Sequence, residues 1–162
     1  CYEVPVGFKY ISAKMAETNA VIGGESSGGL AVRGHIAGKD GIYAAALLVE
    51  MLAVTGKSVS QLYQEITDKY GMLYYEDAAF TMTQARKAEL QEKLFVKLEV
   101  PDFGNNLEKI NRTDGCKVYF TDGSWVICRF SGTEPLLRMA AEGESQSQAR
   151  TYIRIWREEL GL

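Results

Sequence analysis

The sequence predicts an α/β remnant followed by a small α+β domain whose mainly antiparallel sheet is flanked by helices. In the first part of the chain, a short strand-like run and a glycine-rich loop precede two helical patterns. The second part has a strand, an Asp-Gly turn and a strand, a strong signal for an antiparallel hairpin, and ends in an amphipathic helical pattern. We therefore predict two domains, residues 1–75 and residues 76–162.

The bulk composition limits the class of protein. With 162 residues, 46% of them hydrophobic, the chain is long enough to bury a core. The formal net charge is −3 and there is no basic stripe, so nucleic acid is not an expected partner. No apolar run reaches the roughly 18 residues of a membrane span, so we expect no membrane partner either. Three cysteines make an odd count, which indicates a reduced, cytoplasmic protein rather than a disulfide framework.

The predicted first domain contains three helices and one strand. Phe8 to Thr18 predicts a short helix, and Ala20 to Gly23 a short buried strand. Asp40 is placed to cap a nearly all-apolar helix that ends at Gly56, and its run from Ile42 to Val49 predicts burial. A capping box starts the third helix, which carries one apolar face. The box residues are Ser58 and Gln61, and the apolar face is Val59, Leu62, Tyr63, Ile66 and Tyr70.

The predicted second domain begins with an extended segment, Leu73 to Met82, and a charged surface helix, Thr83 to Leu94. Alternation predicts a half-buried strand over Phe95 to Val100, and Pro101 to Asn106 predicts a loop. Leu136 to Ala141 predicts another strand. The final helix has a capping box, Ser145 with Gln148, and an apolar face formed by Ala149, Tyr152, Ile153, Trp156 and Leu160.

The predicted hairpin determines where two cysteines are expected. A two-residue turn at Asp122-Gly123 sets the register. It would place Lys117 opposite Cys128, and Cys116 opposite Arg129. Because neighbouring side chains on a strand point to opposite faces, we expect the two thiols on opposite sides of the sheet and no disulfide between them.

The segment Arg129-Phe130-Ser131-Gly132-Thr133-Glu134-Pro135 carries the donors of a phosphate-binding loop. Arg129 offers a fork-shaped cationic donor, and Ser131 and Thr133 add hydroxyl groups. Gly132 gives the backbone the freedom to aim successive N–H groups at one anion. Arg138 follows on the next strand and is expected at the same site. The alternative is an ordinary Ser-Gly-Thr turn beside a surface arginine.

This string, followed by Leu-Leu-Arg, resembles the phosphate-binding loop of the α-D-phosphohexomutases, the phosphoglucomutase and phosphomannomutase enzymes. In that family the loop lies in the last of four domains and binds the phosphate that does not react. The resemblance implies that residues 1–75 are the C-terminal part of the third domain and that residues 76–162 are the fourth. It implies phosphate contacts from Arg129, Ser131, Gly132, Thr133 and Arg138.

The segment Gly24-Glu25-Ser26-Ser27-Gly28 places a carboxylate and a hydroxyl two residues apart on a glycine-rich loop. A carboxylate is a strong acceptor for sugar hydroxyls. The alternative is a strand-to-helix loop with an incidental acid. The segment resembles the same family's sugar-binding loop, Gly-Glu-x-Ser-Gly, which implies that Glu25 and Ser27 bind adjacent ring hydroxyls. The Gly-Gly ending is similar to the phosphoglucomutase branch.

Two further residues are candidates for catalysis. Val6-Gly7-Phe8-Lys9 resembles the loop that opens the active-site segment of the family's third domain. This implies a phosphate contact or proton transfer by Lys9, and the alternative is a solvated surface lysine. Arg33-Gly34-His35 and Lys39-Asp40-Gly41-Ile42 resemble the stretch after the sugar loop. His35 is the only histidine and can titrate near neutral pH; the alternative is a structural histidine.

Two parts of the family's chemistry are not recognisable in the chain. The family uses a phosphorylated serine in its first domain and an Asp-rich magnesium loop in its second, and this sequence has no Asp-x-Asp pair. We therefore expect Mg²⁺ in the full-length enzyme and no metal site in this chain. The first residue is Cys1 and not Met, which indicates a fragment or a product of cleavage. The resemblance implies that its partners are a phosphosugar and the N-terminal domains of the same protein.

These implications predict a parent phosphohexomutase, foremost a phosphoglucomutase. Such an enzyme interconverts hexose 1-phosphate and 6-phosphate through a phosphoserine enzyme and a bisphosphate intermediate. The fragment is expected to be inactive alone. The alternatives are a phosphomannomutase, a phosphoglucosamine mutase or a phosphopentomutase and, in another class, a non-catalytic sugar-phosphate-binding module.

Overall fold

The computed structural model describes residues 1–97, 99–132 and 134–162. The chain forms two compact units, Cys1–Gly71 and Met72–Leu162. The first unit is made of α1 (Phe8–Thr18), β1 (Ile22–Gly24), β2 (Leu30–Val32), α2 (Gly41–Thr55) and α3 (Val59–Tyr70). The second unit is made of β3 (Tyr74–Thr81), α4 (Gln84–Gln91), β4 (Leu107–Asn111), β5 (Cys116–Phe120), β6 (Trp125–Phe130), β7 (Leu136–Gly143) and α5 (Gln146–Leu160). This architecture confirms the predicted fold class.

Local signals determine the helix ends of the first unit. Asp40 caps α2, and its Oδ1 accepts two backbone hydrogen bonds of 3.0 Å from the first turn. Gly56 ends α2 in the left-handed conformation at φ 67°. At the start of α3, Ser58 and Gln61 exchange both bonds of a capping box. The three helices predicted for this region are therefore confirmed.

Burial in the first unit differs from the prediction. The strand predicted at 20–23 is shifted along the chain and forms β1, Ile22–Gly24. It pairs antiparallel with β2, a strand that the sequence did not predict. Val21 and Ile22 are 60% and 61% exposed, so this strand is not buried. Ile42 and Val49 of α2 are 85% and 66% exposed, so the predicted burial of that helix is wrong within this unit. The physical reason is size, because a two-stranded hairpin covers too little area to bury the apolar surfaces of the helices.

The second unit is built on one five-stranded antiparallel sheet with the order β3-β7-β6-β5-β4. Burial alternates along β5 and β7, so one face of the sheet carries the core and the other faces outward. The α5 helix contributes to this core the five residues predicted for its apolar face, namely Ala149, Tyr152, Ile153, Trp156 and Leu160. Phe103 packs edge-to-face on Phe120, Tyr152 and Trp156, with ring centroids 5.4–5.7 Å apart.

The strand predicted at 95–100 is wrong within the described residues. Its first two residues belong to a π-helical segment, Glu92–Val96, that continues α4. Leu90 and Leu94 are 1% and 0% exposed. Their helical i, i+4 spacing buries both on one side, and this outweighs the alternating pattern that suggested a strand. Leu98, which is part of the same prediction, lies outside the described residues.

The register of the hairpin differs from the prediction by one residue, because Cys116 pairs with Cys128 and not with Arg129. The loop has three residues: the Gly123 N–H donates to the Phe120 carbonyl, and Gly123 has φ 86°. A one-residue shift moves a side chain to the other face of the sheet. Both thiols are therefore fully buried on the core side, and both are free. Burial raises the pKa of each thiol.

The N-terminus of α5 has the predicted cap but not the predicted reciprocal box. The Oγ of Ser145 accepts a hydrogen bond from the N–H of Gln148 at 3.1 Å. The Oε1 of Gln148 accepts from the N–H of Glu144 at 2.8 Å, and its Nε2 donates to Asp122 and Tyr152. These donor bonds draw the amide towards the tip of the hairpin and away from the backbone of its own cap.

No single helix in the part of the chain that the structure describes is long and apolar enough to cross a membrane. The pair α2 and α3 reaches that length and composition only when both helices are taken together, and the pair is bent by 82°.

Candidate functional site

Arg129 and Arg138 lie directly opposite each other on adjacent strands. They are Cα partners in the ladder of β6 and β7. Both belong to the outward face of the sheet, because their neighbours Cys128 and Met139 are buried on the core side. Arg129 is half-buried and Arg138 is exposed. The sequence predicted one site for both arginines, and the structure brings them together.

The electrostatics of this arginine pair favour an anion. Like charges that face each other across a sheet are destabilising. Neither Arg129 nor Arg138 forms an ion pair with any residue that the structure describes. An anion between them would relieve the repulsion, and a guanidinium group can donate two parallel hydrogen bonds to phosphate oxygens. The pair therefore has the charge and the accessibility that a phosphate site needs.

The loop after Arg129 already uses part of its hydrogen-bonding capacity. The N–H of Ser131 donates to the carbonyl of Leu136 at 2.8 Å, and the N–H of Glu134 donates to the Oγ of Ser131 at 3.3 Å. These two amides are not free for a ligand. The N–H of Gly132 has no acceptor within residues 1–97, 99–132 and 134–162, and Thr133 lies outside them. Binding of the anion by several successive backbone N–H groups therefore stays a prediction. Among the described amides of the loop that are named above, the N–H of Gly132 is the one that can donate to a ligand.

Two glycines border the arginine pair in different ways. Gly132 is not in the left-handed region, and a Cβ there would meet nothing within 4 Å, so the loop is open at this point. Gly115 has φ 106°, and a Cβ there would lie 2.7 Å from the carbonyl oxygen of Cys128 and 3.0 Å from the Cβ of Arg129. Glycine at position 115 therefore allows the chain to pass close beside Arg129.

Lys87 of α4 also reaches this loop. Its ammonium group donates to the carbonyl oxygens of Ser131 and Glu134 at 2.7 and 3.3 Å. The exit of the loop is tied to the end of β3 as well, where the N–H of Met82 donates to the carbonyl of Pro135 at 3.0 Å. Sequence reasoning missed Lys87, because a lysine in a charged surface helix gives no signal of a contact 44 residues away.

The predicted sugar-binding segment of the first unit forms the turn between β1 and β2. The N–H of Gly28 donates to the carbonyl of Glu25, and the N–H of Glu25 donates to the carbonyl of Gly29, both at 2.9 Å. Ser27 is exposed in this turn, whereas the side chain of Glu25 is only 18% exposed. The segment joins two strands and not a strand and a helix, and sugar binding by Glu25 and Ser27 stays a prediction.

Lys39 holds the carboxylate of Glu25. Its Nζ lies 3.1 Å from Oε2 of Glu25 and 5.5 Å from the centroid of the Phe8 ring. A Cβ on Gly29 would lie 2.5 Å from Cδ of Lys39, so the lysine stem passes directly against the loop. Sequence reasoning placed Lys39 in a resembling stretch but not in the site.

His35 contacts Asp40, the N-cap residue of α2. Its Nε2 lies 2.8 Å from Oδ2 of Asp40, and its ring stacks on Tyr43 with centroids 4.0 Å apart. The backbone hydrogen bond from Tyr43, and then the bond from His35, hold the pKa of Asp40 below its usual value. This geometry favours the structural alternative for His35, because its ring and its Nε2 both have partners.

Lys9 lies in the first turn of α1 and is exposed. Its Nζ lies 4.8 Å from the centroid of the adjacent Tyr10 ring. Among the described residues of the first unit, no contact joins Lys9 to Glu25 or Ser27. A phosphate contact or proton transfer by Lys9 therefore stays a prediction.

Two family models match the chain, one in each unit. The model described as "Phosphoglucomutase/phosphomannomutase, alpha/beta/alpha domain III" matches residues 1–70. The model described as "Phosphoglucomutase/phosphomannomutase, C-terminal domain" matches residues 79–155. The two matches together cover most of the chain.

Curated relatives carry the names of several mutases. A phosphoglucomutase/phosphomannomutase from Thermococcus kodakarensis is 33% identical over 97% of this chain and 31% of its own length. A phosphoglucosamine/phosphogalactosamine mutase from Sulfurisphaera tokodaii is 30% identical over 91% of this chain and 30% of its own length. A phosphoglucosamine mutase from Geobacillus thermodenitrificans is 27% identical over 99% of this chain and 32% of its own length. The chain spans about a third of the length of these relatives.

Solved structures agree with these matches. A Thermus thermophilus protein assigned as a phosphomannomutase aligns over 98% of this chain and 31% of its own, with a TM-score of 0.71 and 26% identity. The phosphoglucomutase parafusin from Paramecium aligns over 98% of this chain and 33% of its own, with a TM-score of 0.67 and 23% identity, which supports the fold alone. The chain therefore belongs to the phosphoglucomutase/phosphomannomutase family, whose third and C-terminal domains it matches.

Proposed function

We propose that this chain is the substrate-binding C-terminal part of a phosphohexomutase. The observation that carries the proposal is the pair of Arg129 and Arg138. The two arginines are Cα partners across a ladder, neither has an ion-pair partner among the described residues, and the chain belongs to this family. A phosphate dianion matches both their charge and their donor geometry.

In this proposal each unit has its own role in binding a phosphosugar. The second unit holds the phosphate that does not react, through Arg129, Arg138 and the loop residues Ser131, Gly132 and Thr133. The first unit holds two adjacent ring hydroxyls through Glu25 and Ser27. A carboxylate at 18% exposure that is paired with Lys39 has a restricted geometry, which suits directional hydrogen bonds to a sugar.

The proposed reaction interconverts hexose 1-phosphate and hexose 6-phosphate. A phosphoserine outside this chain gives its phosphoryl group to the free hydroxyl of the substrate, and a bisphosphate results. The bisphosphate turns in the site and returns the other phosphoryl group to the serine. An arginine pair recognises a phosphate by its charge and oxygens, so the same pair accepts either orientation. The contribution of these residues is positioning and charge stabilisation.

We propose glucose phosphates as the first substrate class, on the resemblance of the Gly-Gly ending at Gly28 and Gly29 to the phosphoglucomutase branch. Glucosamine phosphates are the second candidate class, because relatives that align over most of this chain are named phosphoglucosamine mutase or phosphoglucosamine/phosphogalactosamine mutase. Rates of the full-length enzyme on glucose 1-phosphate, mannose 1-phosphate and glucosamine 1-phosphate will rank these classes. A highest kcat/KM on glucosamine 1-phosphate would overturn the first choice.

The 162-residue chain is proposed to be inactive alone. Within the described residues there is no group of three or more His, Cys, Asp or Glu side chains that could hold a metal ion, so no metal step is assigned to them. Magnesium and the phosphoserine would belong to other parts of the full-length enzyme. The test is incubation of the purified chain with glucose 1-phosphate and catalytic glucose 1,6-bisphosphate. Formation of glucose 6-phosphate above a heat-denatured control would overturn this proposal.

The phosphate assignment is tested by NMR titration of the chain with glucose 6-phosphate. We expect amide shifts at 129–138, and a dissociation constant about tenfold to hundredfold higher in Arg129→Gln, because a hydrogen bond to a charged group is lost. Arg154→Gln is the matched control: Arg154 is an exposed arginine of α5 that pairs with Glu158. Shifts confined to residues outside 129–138, or an equal effect of the two variants, would contradict the assignment.

A further inference from the structure

The second unit contains one lysine whose ammonium group is directed at the backbone of the candidate phosphate loop. Lys87 donates to the Ser131 carbonyl at 2.7 Å and to the Glu134 carbonyl at 3.3 Å. Its side chain is half-buried, and its own N–H donates to the carbonyl of Thr83, the N-cap residue of α4. The Oγ of Thr83 caps the same helix by accepting from Arg86. The lysine therefore reaches the loop from a well-anchored position.

The bond to Ser131 has a consequence for the next peptide group. A peptide unit is planar and trans, so its C=O and its N–H point in opposite directions. Because the Ser131 carbonyl is directed at Lys87, the N–H of Gly132 is directed away from Lys87. That N–H has no acceptor in the part of the chain that is described, and there is open space at Gly132.

The bond to Glu134 has a different consequence. The residue after Glu134 is Pro135, which has no N–H, so this second bond orients no further donor. It fixes the far side of the loop, and together with the Ser131 bond it clamps both ends of a short backbone segment to one cation. A lysine ammonium group has three donors and no acceptor, which suits it to binding carbonyl oxygens.

We propose that Lys87 is a positioning residue of the phosphate site. It acts through the loop: its bond to the Ser131 carbonyl orients the N–H of Gly132 towards the anion that Arg129 and Arg138 attract. This inference rests on the proposed function of the loop and adds a residue to it. It differs from a purely structural role, in which Lys87 would only tie α4 to the sheet.

The test compares Lys87→Met with Lys109→Met in the full 162-residue chain, with inorganic phosphate as the probe. Met keeps the length of the side chain and removes the donor. Lys109 of β4 is 62% exposed, so its variant loses the same charge in the same unit. We expect the phosphate dissociation constant to rise about tenfold in Lys87→Met, and less than about twofold in Lys109→Met.

A second readout separates positioning from simple tethering. In the chain without phosphate, Lys87→Met should move the amide signal of Gly132 in the ¹H–¹⁵N spectrum, because the peptide plane is released. Lys87→Arg keeps a cation that has only donors and should restore phosphate binding to within about threefold of the unaltered chain. If Lys87→Met fails to fold, phosphate binding by Lys87→Arg still tests whether Lys87 positions the loop.

The outcomes are distinguishable. If the unaltered chain shows no shifts at 129–138 with phosphate, the proposed function and this inference both fail. If the unaltered chain binds phosphate at 129–138 and Lys87→Met binds within twofold of it, only this inference fails. It fails likewise if Lys87→Arg folds and does not restore binding. If Lys87→Met lowers the melting temperature but changes neither phosphate binding nor the Gly132 amide signal, Lys87 has only the structural role of tying α4 to the sheet.

Discussion

The helices α3 and α5 show the same sequence pattern with opposite outcomes. Both start at a serine cap and carry one apolar face. Tyr152 and Trp156 of α5 are 3% and 0% exposed, whereas Val59 and Ile66 of α3 are 54% and 56% exposed. The α5 helix lies on a five-stranded sheet, and the unit of α3 contains a two-stranded one. Periodicity therefore predicts which face of a helix is apolar, but not what covers it.

This difference has an energetic consequence for the two units. Hydrophobic stabilisation is proportional to the apolar area removed from water. Among the described residues, Ile11 and Ala31 are the buried hydrophobic residues of the first unit, and all others lie in the second. We expect the second unit to tolerate truncation of its apolar residues poorly and the first to tolerate it well. Matched substitutions in the two units test that contrast.

The largest expected effect is at Trp156. Trp156→Ala removes a fully buried ring that contacts Phe103, and should lower the free energy of unfolding by about 3–5 kcal/mol. Val54→Ala, at a residue of α2 that is 79% exposed, should change it by less than about 0.5 kcal/mol. Urea unfolding followed by far-UV circular dichroism measures both values. Equal losses of unfolding free energy in the two variants would show that α2 is packed against other residues, and the contrast between the two units would then be wrong.

A second comparison uses two glycines with similar backbone angles. Gly115 and Gly34 have φ values of 106° and 92°, but a Cβ would collide with the Cys128 carbonyl only at Gly115. Both alanine variants carry the strain of a left-handed residue, about 1–3 kcal/mol. Gly115→Ala should therefore destabilise the chain by at least about 1 kcal/mol more than Gly34→Ala, since backbone must also move.

The same glycine variant reports on the candidate site. The collision at Gly115 lies next to Arg129, so Gly115→Ala should also weaken phosphate binding in the NMR titration, while Gly34→Ala should not. If Gly115→Ala had the same stability and the same phosphate affinity as Gly34→Ala, the inference that the chain at residue 115 passes close beside Arg129 would be wrong.

A third prediction concerns the tip of the hairpin. The carboxylate of Asp122 accepts hydrogen bonds from Ser124, Asn105 and Gln148. Partial burial raises the pKa of Asp122, but these bonds outweigh it and hold the pKa below its ordinary value of 3.8. A lowered folded-state pKa stabilises the fold at pH values above 3.8, and this stabilisation is lost as the pH falls through the folded value.

Asp122→Asn should therefore lower the free energy of unfolding by about 1 kcal/mol at neutral pH, because one acceptor oxygen becomes a donor. The difference from the unaltered chain should shrink as the pH falls below 3.8. Asp68→Asn is the control in the first unit, where an exposed carboxylate accepts one bond from Gln64. Its effect should stay below about 0.5 kcal/mol. A pH-independent difference at Asp122 would contradict the role of its charge.

Local signals made the fold largely predictable from sequence. The caps at Asp40, Ser58 and Ser145 and the glycine after α2 are satisfied by the nearest backbone groups, so the sequence alone specifies them. The hairpin register was missed because Asp122-Gly123 fits both a two-residue turn and a three-residue loop with a bulge. The strand predicted at 95–100 was wrong because burial of Leu90 and Leu94, which directly precede it, decides that segment more than its local alternation does.

The candidate site was predictable to a lesser extent. Arg129 and Arg138 could be assigned to one site, since residues on adjacent antiparallel strands either side of a short loop must meet. Lys39 and Lys87 could not be assigned, because each reaches its partner from a helix or loop far along the chain. Contacts of this kind depend on tertiary packing, for which a single lysine in a sequence provides no signal.

The caps of α2 and α5 distinguish a helix that is stabilised by its own local interactions from one that is stabilised by tertiary packing. Removing the cap of α5 with Ser145→Ala should cost about 1 kcal/mol, and Asp40→Ala removes the corresponding cap of α2. The α5 helix is held by its buried face, so Ser145→Ala should lower stability without lowering the helical signal of the folded chain. The α2 helix has no buried residue, and a short helix without packing is marginal in water. Asp40→Ala should therefore fray α2 and reduce the far-UV signal.

The control is Asp40→Asn, because asparagine caps a helix about as well as aspartate. Its Oδ1 can replace the oxygen that accepts the two backbone bonds of the first turn, so the helical signal should be kept. If Asp40→Asn lost as much signal as Asp40→Ala, the contact between Asp40 and His35 would support α2 more than the cap does. If Ser145→Ala lost as much signal as Asp40→Ala, burial would not be what holds α5, and the contrast between the two units would fail.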